Sequence, residues 1–511
     1  MVGMALSSLT GLLSQILITR AFGTSASIDA FYAANRIPEI LFNLMAGGAL
    51  ASAFIPTFTA FLARDDMKGA WRLASSILWL VIAAVAVVSL LAWATAPWLV
   101  TRVLTPGFDD PEQIQRTIDL LRIMLLSPVI FSVSGLWMGV LNARQRFAAP
   151  ALAPAAYRLG TIFSLFALVP RFGVYGLAWG SVLGSLLHLL IQIPTLLKLQ
   201  PEIVLDFGLD NPAVRTVGRL MAPRLLGVAV VQLNFLINTI IASGLPEGSL
   251  SSITFAFQLM LMPEIVIAQA IAIAALPTFS EQAATNRLDE LRASFMVTLR
   301  GLVFLALPAS LGLLLLREPI VALLFQGGEF NIDSTAMVSW ALLWYAAGLL
   351  SHSVLEIITR AFYAMNDTRT PVLVGIAAMS LNAILSIALA SLFTRWGLMP
   401  HGGLPLANSI ATTLEAGALL LIMRKRLQGL DLAQVRAGLL ASLLGAAVMS
   451  AAVLGWLHVA GRQSSAAAAI GGIGVGVGVY WVSSFLLRAP EARQLPAILL
   501  RKFRQQPEET A

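Results

Sequence analysis

Apolar residues run in blocks of about twenty from the first residues to about residue 487, separated by short polar interruptions. A block of that length crosses the roughly 30 Å hydrocarbon core of a bilayer as an α-helix. Fourteen blocks are readable, near 3–22, 29–62, 74–103, 117–142, 149–169, 174–197, 217–243, 251–279, 295–316, 335–364, 370–394, 403–423, 434–458 and 466–487. The second and eighth are longer than a crossing needs and contain Pro38, Gly47, Gly48 and Pro56, or Pro263 and Pro277. Such helices tilt, kink or unwind, and lipid tolerates that only where the broken backbone faces protein or water. The pattern predicts an all-α polytopic membrane protein with about 14 transmembrane helices.

The interruptions differ in charge. One side of the expected membrane collects Arg64, Lys68, Arg72, Arg144, Arg146, Lys198, Arg215, Arg219, Arg287, Arg292, Arg360, Arg369, Arg424, Lys425, Arg426 and Arg436. The other has only Arg102, Arg116, Arg171, Arg317, Arg395 and Arg462, with acids such as Asp109, Asp110 and Glu329. The basic side is expected to be cytoplasmic, with both termini there. The first block, closed by Arg20, lacks the basic start and cleavage site of a signal peptide and reads as a crossing.

The blocks repeat. AFIPTF at Ala53–Phe58 returns 221 positions later as AALPTF at Ala274–Phe279. IPEI at Ile37 matches MPEI at Met262, PWLV at Pro97 matches PIVA at Pro319, and NARQRFAAP ending at Pro150 matches MNDTRTP ending at Pro371. GLAWGS at Gly176 resembles GLPLANS at Gly403. Blocks one to six therefore map onto seven to twelve in order. An even number of crossings gives both copies one topology, so the repeat is parallel, a transporter pattern. The expected organisation is two six-helix lobes, 1–200 and 214–426, then two extra helices within 433–487 and a basic cytoplasmic tail, 488–511.

Composition narrows the chemistry. The chain is 58% hydrophobic and 12% charged, with mean hydropathy +0.83; soluble domains carry roughly 25% charged residues. Cysteine is absent, and the four histidines, His188, His352, His401 and His458, lack metal-ligand spacing. No phosphate-binding loop motif marks an ATPase, and the loops are too short for a catalytic domain. The net charge of +7 fits basic loops, and no aromatic-interleaved basic surface suggests nucleic acid. No cofactor is implied; a coupling ion, Na+ or H+, is left open.

Charged groups inside spans cost at least about 2.5–3.5 kcal/mol at mid-bilayer, so each needs a reason. Asp29, Arg36 and Asn43 are seven apart and share one helical face, flanked by Asn35 and Glu39. This stripe suits a watery substrate cavity; an Arg36–Glu39 pair at i,i+3 and an N-capping Asp29 are the structural alternatives. Arg158 and Arg224 lie about two turns inside the cytoplasmic boundary, placed either to snorkel or to bind phosphate. His352, Glu356 and Arg360 form an i, i+4, i+8 row. Asn238, Asn382, Asn408, Thr412 and Glu415 offer oxygen ligands for a cation or a proton relay, or else hydrogen bonds between helices.

The segment DAFYAANRIPEILFNLMAGGALASAFIPTF from Asp29 resembles the signature of the bacterial MurJ (MviN) lipid II flippases. PRLLGVAVVQLNFLINTIIAS from Pro223, ALPTFS from Ala275 and FYAMNDTRTPV from Phe362 agree. The resemblance covers essentially the whole chain. It implies membership of the multidrug/oligosaccharidyl-lipid/polysaccharide exporter superfamily and two lobes alternating around a central cavity. It also implies a groove for the polyprenyl tail at the last two helices. The substrate implied is lipid II, an undecaprenyl-diphosphate-linked glycan; membrane lipids and the cell-wall synthesis machinery are the other implied partners. The family's usual diphosphate-binding arginines read Ser8, Ser14, Phe42 and Gln258 here, and a usual glutamate reads Leu261. Asp29 is kept and Arg36 stands at a position often basic. Arg36, Arg158 and Arg224 are the candidate substitutes for that clamp. In some relatives a sodium ion sits between helices seven, eleven and twelve, where the asparagine cluster falls. The alternatives are a flippase of another polyprenyl-linked glycan, a drug exporter, a membrane glycan polymerase or ligase, and a non-transporting cell-wall assembly scaffold.

Overall fold

The computed structural model describes residues 2–46, 49–430, 432–460 and 464–492, with side chains left aside at 2–5, 45–46, 49–52, 223, 224, 226, 230 and 432–437. The chain forms two compact units. The first, Met1–Ser251 with Gly327–Asn331, holds α1 (Val2–Phe22), α2 (Ala26–Ala46), α3 (Ala49–Leu62), α4 (Met67–Ala94), α5 (Ala96–Leu99), α6 (Pro111–Met124), α7 (Leu126–Ala143), α8 (Ala148–Ala167), α9 (Val169–Phe172), α10 (Val174–Leu190), α11 (Ile193–Leu197) and α12 (Pro212–Ser243). The second, Ser252–Gln326 with Ile332–Ala511, takes α13 (Ser249–Glu264), α14 (Ala270–Ala284), α15 (Leu288–Leu315), α16 (Arg317–Phe325), α17 (Ile332–Ala364), α18 (Arg369–Arg395), α19 (Gly403–Arg426), α20 (Leu432–Ala460) and α21 (Gly472–Leu486). By compactness the division falls at Ser251, so α12 packs with the first unit although the sequence repeat opens at about residue 214. Residues 493–511 of the basic tail lie outside the described residues.

The described residues of the apolar blocks are helical, in one piece or in several. Among the described residues, eleven helical stretches are long and apolar enough to cross a bilayer, and Leu6–Phe22 and Ala53–Leu62 are shorter apolar helices. The long second block is split into α2 and α3, and the eighth is interrupted by a π-helical turn at Ile265–Gln269. Outward-facing Leu90, Leu91 and Trp93 of α4, Phe163 and Phe166 of α8, and Ile384 and Ile387 of α18 are exposed. Apolar surface this extensive is stable facing lipid and not water.

The repeat is written into the backbone as well as the letters. Asp65 and Asn286, 221 apart, both have left-handed φ values, 56° and 53°. Gln145 and Asn366, again 221 apart, have φ of 56° and 58°. Each closes its helix with the six-to-one bond of a Schellman turn: Asp66 N to Phe61 O, Arg287 N to Gln282 O, Arg146 N to Leu141 O, and Asp367 N to Phe362 O. The duplicated PTF string has a packing reason too. Phe58 and Phe279 are both almost fully buried, Phe58 against Trp71 and Phe279 against Phe295, at the centre of separate apolar cores.

Between the repeats the chain runs extended along α4. Ser75 Oγ accepts from Val204 N, Trp79 donates to Val204 O, and Arg72 binds Asp206 at 2.9 Å. The Arg72 guanidinium holds the half-buried Asp206 carboxyl below the usual carboxylate range. At the turn after α17, Asp367 accepts from the hydroxyl and amide of Thr370 and from Arg426 of α19. Thr370's hydroxyl first, then its amide and Arg426, hold the Asp367 carboxyl low. A depressed carboxyl contributes stability above its ordinary value of about 3.9 and loses it as pH falls through its folded value. Wild-type protein should therefore lose more thermal stability between neutral pH and below pH about 4 than Asp367→Asn does. Equal losses in a detergent melting series would show that the contact carries no such linkage.

Candidate functional site

Arg36 is the centre of the polar stripe on α2. It is 8% exposed, a position where a lone cation is costly. Its Nη1 donates to Glu39 Oε2 at 2.9 Å and its Nε to Thr239 Oγ1 of α12 at 3.0 Å. The guanidinium also lies 5.5 Å from the Phe235 ring centroid, a cation–π contact. Glu39 is 41% exposed at its side chain, so the pair has one dry and one open member. Asn35 and Asn43 flank it, each half-buried.

Asp29, at the other end of the stripe, is buried and binds backbone. Its Oδ2 accepts from Gly248 N and its Oδ1 from Ser251 N, each at 2.7 Å. In return Glu247 Oε1 accepts from Ala26 N at 2.6 Å. Ala26 and Ser251 are 225 apart, the offset that relates Ile37 to Met262, and Gly23 and Gly248, also 225 apart, both take left-handed φ. The equivalent helix starts of the two repeats are thus each capped by a carboxylate from the other repeat, the N-terminal arrangement that helix ends favour. Asp29 lies within the first turn of α2 and caps the start of α13, not that of its own helix. Asp29→Ala strands two buried N–H groups and should cost about 2–6 kcal/mol, at roughly 1–3 kcal/mol per orphan, read as a lower melting temperature in detergent; an unchanged melt would remove the capping role.

Two of the four positions at which the resemblance implies an arginine, Ser14 and Phe42, are absorbed into packing. Phe42 stacks on Phe131, centroids 4.5 Å apart, and Phe131 continues to Tyr157 and His188. Ser14 is fully buried with its Oγ unbonded, while Ser8 is exposed on α1. Arg158 is exposed and lies 5.6 Å from the Tyr157 ring centroid. The side chain of Arg224 lies outside the described residues. Behind the aromatic cluster, Ser134, His188 and Gln192 form a buried hydrogen-bonded knot that the sequence did not announce.

In the second unit, Gln258 and Leu261 of α13 are half-buried. Asn408 Oδ1 bonds His352 Nε2 at 2.9 Å, and Thr412 Oγ1 reaches the same nitrogen at 3.4 Å. Asn382 is buried on α18 and accepts from Ser386. Glu415 is half-buried on α19, beside Gly375 of α18. Asn238, in the first unit, donates to Asn234 and its own Oδ1 accepts nothing. Asn408 and Thr412 thus join α19 to α17 through the imidazole, the interhelical hydrogen bonding that membrane bundles use. Among the described residues no three His, Asp or Glu side chains converge as metal ligands.

Long apolar helices, a duplicated architecture, and buried charges confined to a few helix faces define a multi-pass membrane protein of the secondary-transporter class. A family model described as "Lipid II flippase MurJ" matches residues 18–467. The lipid II flippase MurJ of Burkholderia cenocepacia is 33% identical over 460 residues, covering 88% of this chain and 87% of its own. A probable lipid II flippase MurJ of Vibrio cholerae is 30% identical, covering 94% of each. The chain belongs to the MurJ lipid II flippase family. A solved lipid II flippase MurJ in an inward closed conformation shares the fold, with TM-score 0.81 at 22% identity over 96% of this chain and 99% of that one. An inward-facing multidrug resistance MATE family transporter of the MOP superfamily follows with TM-score 0.68 at 17% identity, over 83% of this chain and 94% of its own.

Proposed function

We propose that this chain is a transporter and not an enzyme, and that it moves lipid II from the inner to the outer leaflet of the cytoplasmic membrane by alternating access. The observation that carries the reading is family membership across residues 18–467, joined to a dry guanidinium at Arg36. Arginine suits a diphosphate because its planar fork donates in parallel to two oxygens. Arg36 releases Glu39 and takes the headgroup, with Asn35 and Asn43 as polar contacts and Arg158 receiving phosphate nearer the cytoplasmic leaflet. Asp29 contributes by fixing the end of α2. Both termini are cytoplasmic, as the basic loops require. The drive is membrane potential or an ion gradient; one charge moved through 100 mV is worth about 2.3 kcal/mol.

The test is replacement. A bacterium depleted of its own flippase and supplied with this chain should regain lipid II accessibility at the outer face and survive. Well-expressed protein that leaves lipid II inside would sink the substrate assignment. Proteoliposomes offered lipid II and a second polyprenyl-linked glycan then separate another substrate from a scaffold that flips neither.

A further inference from the structure

Glu264 is the last residue of α13 and follows Pro263, which has no N–H to give the helix. The backbone widens at once into the π-helical turn Ile265–Gln269. Single π turns inside α-helices are uncommon and recur at functional sites. Glu264 is 6% exposed, and its Oε2 has no hydrogen-bond partner. Glu356 stands on α17, one of the helices packed on this turn. Glu356 also meets Arg360, one turn along, at 3.4 Å, while the buried Nε of Arg360 has no acceptor. α15 and α17 both pack on the π turn. The arginines of α15 are engaged elsewhere, Arg292 with Asp289 and Arg300 with Glu491, and His352 of α17 is held by Asn408. Glu356 therefore holds the guanidinium of Arg360, and one oxygen of Glu264 is left dry and unbonded.

We propose that Glu264 and Glu356 form a proton-binding site, with one proton carried on the unbonded oxygen of Glu264. The bound proton turns that oxygen into a neutral hydroxyl, leaving Glu356 as the one negative charge of the pair, and Arg360 balances it. Its release restores a bare buried carboxylate, so occupancy changes the charge of the second unit by one. This chemistry is distinct from the asparagine cluster around His352. A metal cation fits less well, since it needs several converging oxygens where this site offers one free carboxylate edge.

The experiment uses the full chain in lipid nanodiscs. Infrared difference spectra across a pH titration should show a protonated carboxyl band that Glu264→Gln lacks. Glu356→Gln, a second route if the first variant fails to fold, should weaken proton binding about tenfold or more by removing the like charge. A band untouched by both substitutions overturns the proposal, and so does one displaced by Na+ at constant pH. In proteoliposomes, Glu264→Gln should lose the response of flipping to a pH gradient while keeping the response to a potassium diffusion potential; a retained pH response also overturns it. Only this last arm rests on the flippase reading. If wild-type protein flips no lipid II, the infrared result still decides the proton site by itself.

Discussion

Arg36→Ala is expected to abolish rescue of a flippase-depleted host while leaving a folded, membrane-inserted protein. The two effects separate because of how Arg36 is held. Thr239, its dry partner, keeps its own bond to the Phe235 carbonyl, and Glu39 is open enough to take water in place of the guanidinium. The folding cost should be only about 1–2 kcal/mol, near that of one charge-assisted hydrogen bond. Function has no such substitute on α2. Asn35 and Asn43 supply no charge, and the positions of the usual clamp hold serine, phenylalanine and glutamine. Loss of a bidentate phosphate contact worth about 3 kcal/mol slows headgroup capture by roughly a hundredfold. Arg36→Lys, which keeps charge but not the fork, should fall between. Full rescue by the alanine variant, with outer-face lipid II at wild-type levels, would remove Arg36 from transport and favour a scaffold.

The second large effect is on stability. Phe58→Ala and Phe279→Ala should each cost about 3–5 kcal/mol, the range for emptying a buried phenylalanine site. The expected equality matters more than the size. Phe58 against Trp71 and Phe279 against Phe295 sit at the same point of the repeat. If PTF is an anchor fixing a long broken helix into its core, both variants melt early and by similar amounts. A silent variant at either position would show that the string persists there for some reason other than packing.

Much of this architecture was legible because a bilayer leaves few choices. Backbone groups in hydrocarbon must bond within their own helix, so long apolar blocks point directly to an all-helical membrane fold. The turns after Asp65, Gln145, Asn286 and Asn366 were legible as a repeat, though not as left-handed caps. The site was read less well, for a reason of distance. Arg36 with Glu39 follows from helical spacing, but Thr239 lies 203 positions from Arg36 and no periodicity points to it. Asp29 read as a cavity residue because its stripe is polar; its partners are backbone amides near Ser251, which carry no side-chain signature. His352 belonged by spacing to a row with Glu356 and Arg360, yet it turns to Asn408 on another helix. Phe42 read as a lost charge; packing shows what replaced it.

The pairing of Arg36 with Glu39 has a consequence for recruitment. A lone buried cation projects an attraction that salt screens over roughly 8 Å at physiological ionic strength. A cation with its counter-ion at 2.9 Å projects almost none. A diphosphate headgroup approaching α2 would feel little until it was close enough to compete for the guanidinium itself. Arrival is then unsteered, and the selective event is an exchange of anions at contact. The rate of capture should depend weakly on ionic strength, and discrimination between headgroups would lie in how well each displaces one carboxylate.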